Sequence, residues 1–210
     1  MSKKDISKKI PIYQLNTSDE VLKYYKDWTS KDKFNKDMVS WNYTAPMNAV
    51  SLIKKYALKK DIEILDAGCG SGLVGIEMRK NGYTNIDGVD LSQDMLDLIP
   101  KDIYQNLGIA DLNQSLKYEN HKYDVVMCVG TFTYGHVKPQ ALDEMIRITK
   151  NKGLICFSVN EGIHEEYGFD KKIKNLSDNQ FWNVKEYFKS TYITTKDVSA
   201  WYCLAEITKQ

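Results

Sequence analysis

Cysteine, histidine and proline are scarce in this chain of 210 residues, and their positions exclude several classes of protein. The four cysteines (Cys69, Cys128, Cys156 and Cys203) lie far apart, and no C-x-x-C pair occurs. The three histidines show no spacing that is typical of metal ligands. We therefore expect no disulfide framework and no bound metal. Reduced, buried thiols are typical of a cytoplasmic protein, which is the location that we predict.

Long apolar runs and an excess of charge of either sign are also absent. No stretch approaches the roughly 18 apolar residues that a membrane span requires, and the mean hydropathy is −0.48. The basic N-terminal segment MSKKDISKKIPIY lacks the apolar core of a secretory signal. With 29 basic and 28 acidic residues, the formal charge is only +1. Neither a membrane nor a nucleic acid is therefore an expected partner.

Glycine is absent before Gly68 and then occurs at every second position up to Gly72. Residues 62–76 read IEILDAGCGSGLVGI, which is a short apolar run, a glycine-rich turn and the start of a helical pattern. A strand, a glycine turn and a helix N-terminus in this order form a loop whose backbone N–H groups point at a ligand. The sequence therefore predicts a ligand-binding loop here.

Two cofactor motifs overlap in this loop. Gly70, Gly72 and Gly75 fit the G-x-G-x-x-G pattern of dinucleotide-binding proteins. The longer pattern D-x-G-x-G-x-G, which starts at Asp66, fits S-adenosylmethionine (SAM)-dependent methyltransferases. Both cofactors require an acid about 20 residues later for the ribose hydroxyls, and Asp90 meets this requirement. Because a carboxylate at Asp66 suits an ammonium group and repels a pyrophosphate, the loop favours SAM over the NAD of a dehydrogenase.

Strand-like and helix-like segments alternate after this loop, which implies right-handed crossovers and a parallel sheet. We predict an α/β fold: a Rossmann-like, seven-stranded, mostly parallel sheet with helices on both faces, an antiparallel terminal strand and an N-terminal helical cap. The predicted strands are residues 62–66, 83–90, 102–110, 123–130, 153–160, 182–194 and 199–208.

The chain is predicted to form one domain. Residues 1–17 are rich in lysine and are expected to be a flexible tail, and residues 18–210 are expected to form a single SAM-binding domain. Within it, residues 18–58 would form the cap, with one helix after a capping pattern at Thr17 and a second beginning near Pro46. We expect a polar connector between these two helices.

Four segments also occur in the order that is typical of one enzyme family. They are ILDAGCGSGLVG, VDLSQDML, IADL and YDVVMCVGTFTYGHV, and a pair of strands follows them. Over nearly all of its length the sequence thus resembles the class I SAM-dependent methyltransferases. The segments YYKDW, FNKDMVSWNYTAP and GTFTYGHV are similar to those of the Williams–Beuren-syndrome-region (methyltransferase-like) group. The tripeptide NKG at 151–153 departs from the usual Pro-Gly-Gly, which alters a turn.

The resemblance implies a role for each matching residue. Asp66, Gly68 and Gly70 would line the methionine moiety of SAM. Asp90 would accept hydrogen bonds from both ribose hydroxyls, and Asp111 would accept one from the adenine amino group. The other implied cofactor contacts are Ala67, Cys69, Gly72, Leu91, Met95, Ala110, Leu112, Cys128 and Val129.

Candidates for catalysis and substrate binding follow from position. His136 lies after the fourth predicted strand and is the best candidate for a general base, because imidazole titrates near neutrality; the alternative is that it caps the next helix. Tyr134 is a candidate for orienting the substrate. Asn160 and Glu161 end the fifth predicted strand. Aromatic residues of the cap are predicted to form a lid that excludes water and holds a cationic substrate, with helix packing as the alternative. They are Tyr25, Trp28, Trp41 and Tyr43.

The sequence predicts an enzyme, a monomer or homodimer, that methylates a small molecule by in-line displacement and releases S-adenosylhomocysteine. Nucleic-acid methylation is disfavoured because CVGTF lacks the D/N-P-P-Y and Pro-Cys motifs. A protein methyltransferase and a non-catalytic SAM sensor or partner subunit remain alternatives. No motif identifies the acceptor atom.

Overall fold

The computed structural model describes residues 17–135 and 137–208, and the N-terminal cap comes first in this range. Thr17 caps helix α1, Ser18–Thr29, as the sequence predicts. Its hydroxyl accepts a hydrogen bond from the N–H of Glu20 at 3.2 Å, and the Glu20 carboxylate accepts one from the N–H of Thr17. The rest of the predicted tail, residues 1–16, lies outside the described residues.

The polar connector that we predict within the cap contains a helix of its own. A 3₁₀ turn, Ser30–Asp32, leads into helix α2, Lys33–Ser40. Phe34, Met38 and Trp41 are spaced by four and three residues, so that they lie along one side and pack against the core. The prediction of a polar connector was wrong for this segment, because its regularly spaced apolar side chains pack a helix against the core.

The last helix of the cap, α3, spans Ala45–Tyr56, with Pro46 in its first turn as predicted. Backbone hydrogen bonds tie the segment before it to a strand much later in the chain. The N–H of Thr44 donates to the carbonyl of Tyr192 at 3.0 Å, and the N–H of Thr195 donates to the carbonyl of Trp41 at 3.2 Å. This end of the cap is therefore fixed to the sheet.

Seven strands form one sheet within the described ranges. They are β1 (Ile64–Ala67), β2 (Ile86–Asp90), β3 (Asn106–Ile109), β4 (Tyr123–Phe132), β5 (Thr149–Asn160), β6 (Trp182–Ile193) and β7 (Val198–Ile207). Their order is β3-β2-β1-β4-β5-β7-β6, and β7 runs antiparallel to both of its neighbours. The chain order reverses between β1 and β4, where open α/β sheets bind ligands at the carboxyl ends of their strands.

Helices cover both faces of this sheet. After the cap they are α4 (Leu73–Lys80), α5 (Gln93–Leu96), α6 (Ala141–Ile148) and α7 (Phe169–Asp178). Neighbouring side chains on a strand point to opposite faces. On β5 the thiol of Cys156 lies 3.8 Å from a carbonyl oxygen of α3. The next residue, Phe157, packs against Phe132, whose ring centroid lies 4.8 Å from that of Phe169 in α7. The predicted fold is confirmed.

Other expectations concern thiols, metals and membranes. All four cysteines are buried and free, as predicted. Among residues 17–135 and 137–208, no three side chains of the types that bind metals come together. No helix in these ranges combines the length and the apolar character needed to cross a bilayer.

Candidate active site

A cavity lies above the carboxyl ends of the parallel strands. Its wall combines the glycine loop, the ends of β2, β3 and β4, the cap and the end of β6. The predicted cofactor residues that line it are Gly68, Cys69, Gly70, Asp90, Leu91, Met95, Ala110, Asp111, Leu112 and Val129. The predicted cap residues Tyr25, Trp28, Trp41 and Tyr43 line it as well. The predicted cofactor residues and the cap residues thus surround one space.

The glycine loop between β1 and α4 has a conformation that favours glycine. The backbone φ is +79° at Gly68, +52° at Gly70 and +86° at Gly72. A Cβ added at Gly68 would lie 2.2 Å from the hydroxyl oxygen of Thr131, so a side chain here would collide with the end of β4. Gly68 therefore keeps the glycine loop in close contact with the end of β4.

Hydrogen bonds tie this loop to the end of β2. The N–H groups of Gly68 and Cys69 donate to the carbonyl of Val89 at 2.8 Å and 2.9 Å. The N–H of Gly70 donates to the carboxylate of Asp90 at 2.8 Å. We expected the backbone N–H groups of the loop to point at the ligand. This expectation is wrong for Gly68, Cys69 and Gly70, because their N–H groups donate to residues of β2 instead.

Asp90 is placed as an acceptor for two hydroxyl groups. One of its carboxylate oxygens accepts from Gly70 and the other from the N–H of Ser92 at 2.9 Å. Each oxygen keeps a second lone pair for a ligand. Burial raises the pKa of Asp90, and the hydrogen bonds from Ser92 and Gly70 oppose that rise.

Asp66 does not line the cavity but lies behind the glycine loop. It is 1% exposed, and one carboxylate oxygen accepts a hydrogen bond from the hydroxyl of Tyr104 at 2.6 Å. The other oxygen is buried with no hydrogen-bond partner among the described residues. Burial raises the pKa of Asp66 to about 7, and Tyr104 opposes that rise. The negative charge of Asp90 raises it further.

Gly75 provides the space for Tyr104. A Cβ added at Gly75 would lie 2.4 Å from the ring and from the hydroxyl of Tyr104. We expect Gly75→Ala to lower the free energy of unfolding by about 2 kcal/mol, because overpacking displaces a buried ring. Urea denaturation would measure this loss. Gly108→Ala is the matched control, since an added Cβ there would make only an ordinary contact of 3.8 Å with Val89. Equal losses in both variants would contradict the packing role.

The ends of β2 and β3 form the adenine side that the resemblance implies. Asp111 accepts hydrogen bonds from the backbone N–H of Asn113 at 2.9 Å and from its side-chain amide at 3.1 Å. The methyl carbon of Met95 lies 3.1 Å from the position of a Cβ at Gly70 and so closes over the loop. Polar and apolar groups are therefore both present where a purine would bind.

The end of β4 forms the opposite side, with hydroxyl groups around Gly130. The φ of Gly130 is +88°, and an added Cβ would lie 2.4 Å from the hydroxyl oxygen of Tyr43 and 3.6 Å from that of Tyr192. The two tyrosine rings pack edge to face at 5.1 Å. Thr133 also lines the cavity, and its buried hydroxyl has no hydrogen-bond partner in the described part of the chain.

Several predicted site residues are not in the cavity wall. Ala67 and Cys128 are fully buried in their strands, and Gly72 serves as the N-cap of α4. Tyr134 is 1% exposed and packs against Tyr167 at 6.1 Å. His136 lies outside the described residues.

Asn160 and Glu161 support the sheet instead of the cavity. The side-chain oxygen of Asn160 accepts from the N–H of Gly162 at 3.0 Å. Glu161 accepts from the N–H of Ser199 at 2.9 Å and pairs with Lys189 at 2.6 Å. These contacts hold the end of β5 to β7 and β6, so the structure does not bring either residue to the cavity.

Other residues of the cavity wall were not predicted from the sequence. The spacing of Phe34 and Met38 was a usable signal for a helix. No local signal predicted Tyr192 and Ile193, because they reach the cavity wall only through the pairing of β6 with the cap, which is distant in the sequence. The missed residues of the wall are Leu22, Phe34, Met38, Pro46, Ser71, Leu73, Val74, Ser92, Asn113, Gly130, Thr131, Thr133, Gly135, Val137, Tyr192 and Ile193.

Comparison with known proteins agrees with this geometry. Residues 64–153, which contain the glycine loop, Asp90 and Asp111, match the family described as a methyltransferase domain. Human methyltransferase-like protein 27 is 33% identical over 142 residues, covering 65% of this chain and 56% of that protein. The comparison thus identifies residues 64–153 as a methyltransferase domain. An uncharacterised protein of Methanocaldococcus jannaschii is 32% identical over 170 residues, with 77% of this chain and 72% of that protein covered.

A second named relative and a solved structure extend the comparison. A ribosomal protein L11 methyltransferase of Thermosipho melanesiensis is 28% identical over 121 residues, which are 55% of this chain and 44% of that protein. The chain thus spans about half the length of the named relatives. In fold it resembles one chain of a Haloferax volcanii complex with the Trm112 methyltransferase activator, with a TM-score of 0.67 and 15% identity. That match covers 90% of this chain and 98% of the other.

The match to a methyltransferase domain indicates SAM as the cofactor, and the cavity of this chain fits it. SAM carries a net positive charge, from a sulfonium, an ammonium and a carboxylate. Among the described residues, the charged side chains of the wall are those of Asp90 and Asp111, and both are acidic. Asp90 can accept from two ribose hydroxyls, and Asp66 holds an unpartnered carboxylate oxygen directly behind the loop.

Proposed function

We propose that this chain transfers a methyl group from SAM to a small-molecule acceptor. The observation that carries the proposal is the shared cavity: one space is lined by the cofactor residues and by the apolar side chains of the cap. An acceptor bound against the cap would therefore lie beside the cofactor and away from bulk water.

SAM supplies an activated methyl group on its sulfonium. The part of the chain is to bind, to orient and to exclude water. Asp90 would hold the ribose hydroxyls, Leu91 and Met95 the faces of the adenine, and Asp111 its amino group. The described residues at the end of β4, Val129 to Thr131, would face the reacting centre.

Proton transfer depends on the loop after β4. Burial raises the pKa of Tyr134 to about 12, and the nearby carboxylate of Glu166 adds to this rise. Tyr134 therefore keeps its proton at neutral pH and does not act as a base. His136 remains the predicted general base, which an acceptor with a hydroxyl group would need more than one with an amine or a thiol.

We also propose that α1 and α2 act as a lid. One end of the cap is fixed to β6 by backbone hydrogen bonds. At the other end, the hydroxyl of Ser71 in the glycine loop donates to the side-chain oxygen of Asn35 in α2 at 2.6 Å. Opening at the Asn35 end would release the cofactor, with the segment around Trp41 as the hinge.

We expect Asn35→Ala to raise the dissociation rate of SAM about fivefold, because a hydrogen bond between lid and loop contributes roughly 1 kcal/mol. Stopped-flow displacement would measure the rate. Ser40→Ala is the matched control, since its hydroxyl donates only to Asp37 within the cap, at 3.0 Å. Identical dissociation rates in both variants would contradict the lid.

Incubation with methyl-labelled SAM and a fractionated metabolite pool tests the proposed function. Labelled product of low molecular mass would support it. Label found only in protein would favour the protein methyltransferase, the activity that the name of the L11 relative describes for that protein. Tight SAM binding with no labelled product from any fraction would favour the sensor.

A further inference from the structure

Among residues 17–135 and 137–208, no lysine or arginine side chain lines the wall of the cavity, and its two acids lie on the proposed cofactor side. Burying a carboxylate or a phosphate against such a wall leaves its charge unpaired, which is strongly unfavourable. Anionic acceptors are therefore disfavoured.

Cationic acceptors are disfavoured by the lysines of the chain itself. The ammonium group of Lys196 lies 5.0 Å from the ring centroid of Trp41, and that of Lys33 lies 5.9 Å from the ring of Trp28. The indole N–H of Trp28 donates to Asp37, which also pairs with Lys33 at 2.7 Å. These rings already have cationic partners, and the bound sulfonium would repel a further cation. Trp28 and Trp41, two of the four rings that we predicted to hold a cation, therefore give cation–π binding of a substrate no support.

The polar groups on the proposed acceptor side of the cavity are uncharged hydroxyls. The hydroxyls of Tyr43 and Tyr192 lie at Gly130, and the hydroxyl of Thr133 is buried without a described partner. Hydroxyl groups both donate and accept, so they satisfy an alcohol, an amide or a neutral amine. The remaining surface on this side is apolar, with Phe34 and Ile193 among its members.

We infer that the acceptor is an uncharged molecule with an apolar or aromatic body. It binds between the cap and the ends of β4 and β6, and its polar group contacts the hydroxyls of Tyr43, Tyr192 and Thr133. This inference rests on the proposed function and narrows its acceptor to one class.

Three probes that share one phenyl ring and differ in charge test the inference. The probes are 2-phenylethanol, 2-phenylethylamine and phenylacetate, which at pH 7.5 are neutral, cationic and anionic. The full chain is first saturated with S-adenosylhomocysteine, and the affinity of each probe is measured by ligand-observed NMR titration. We expect 2-phenylethanol to bind at least tenfold more tightly than phenylacetate, and more tightly than the amine.

Each other result has a defined meaning. Tightest binding of phenylacetate would overturn the inference and show a cationic group in the site, and tightest binding of the amine would overturn it in favour of a cationic acceptor. If none of the probes binds to the saturated protein, the inference that the acceptor has an apolar or aromatic body is overturned. Failure of S-adenosylhomocysteine itself to bind would instead contradict the proposed function.

Variants test the contact residues. In Tyr43→Phe and Tyr192→Phe we expect the affinity for 2-phenylethanol to fall three- to tenfold, with the affinity for S-adenosylhomocysteine unchanged. Tyr56→Phe is the matched control, because its hydroxyl bonds Glu186 outside the cavity. Equal affinities for 2-phenylethanol in all three variants would remove the tyrosines from the acceptor site.

Discussion

Replacing Asp90 with alanine is expected to weaken SAM binding by about 100-fold. The carboxylate holds the N–H groups of Gly70 and Ser92, and it is the proposed acceptor for two ribose hydroxyls. A hydrogen bond to a charged group contributes roughly 1.5–3 kcal/mol, so the loss of the ribose contacts alone accounts for this factor. Isothermal titration with SAM and with S-adenosylhomocysteine would measure it.

Asp94→Ala serves as the control for this change. Asp94 is an exposed acid four residues further along the chain and does not line the cavity. We expect its affinity for SAM to match that of the wild type. An Asp90→Ala protein that unfolds at the wild-type urea concentration and binds SAM within fivefold of the wild type would rule out the ribose role.

Asp66→Asn is expected to make the stability of the ligand-free protein less dependent on pH. Folding raises the pKa of Asp66 from 3.8 to about 7, so the folded state holds this proton more tightly than the unfolded state does. The free energy of unfolding therefore falls as the pH rises from about 4 to about 7, by roughly 4 kcal/mol in all. Asparagine has no proton to lose and removes this contribution.

Urea denaturation at pH 5 and pH 8 measures the difference. Between these values we expect the wild type to lose roughly 3 kcal/mol more than the variant does. Titrating groups that do not interact with Asp66 are common to both proteins and cancel. Parallel pH dependences would show that Asp66 ionises normally in the folded protein.

The same variant separates the two roles of Asp66. If its unpartnered oxygen meets the ammonium group of SAM, Asp66→Asn weakens SAM binding at pH 8 while it stabilises the ligand-free fold. A purely structural carboxylate, bound only to Tyr104, would leave the affinity for SAM unchanged. Opposite signs of the two effects at one pH are the signature of a ligand contact.

The fold and the glycine-loop side of the cavity were predictable because their signals are local. The glycine loop, Asp90 and Asp111 each follow a short apolar strand, and the topology of parallel strands brings such ends together. The capping box at Thr17 is equally local. Each of these predictions depended only on residues that are close together in the sequence.

The acceptor side was not predictable in this way. Pairing between β4 and β5 shifts register between Cys128 and Phe132, so the alternation of faces fails there. Counting along the loop favours Tyr134, whereas the structure places Thr133 in the wall and buries Tyr134 behind it. The hydrogen-bond partner of Asp66 is Tyr104, which lies 38 residues away in the sequence. No local pattern could therefore predict this contact.

The fixed end of the cap also sets an order of events during synthesis. The side chain of Thr44 bonds the carbonyl of Thr191, a residue 147 positions further along the chain. A growing polypeptide therefore holds the glycine loop and Asp90 long before Tyr192 exists to close the opposite wall. Contacts of such long range form late in folding. The nascent chain thus forms the proposed cofactor side first, and the proposed acceptor side is completed only when the terminal hairpin docks.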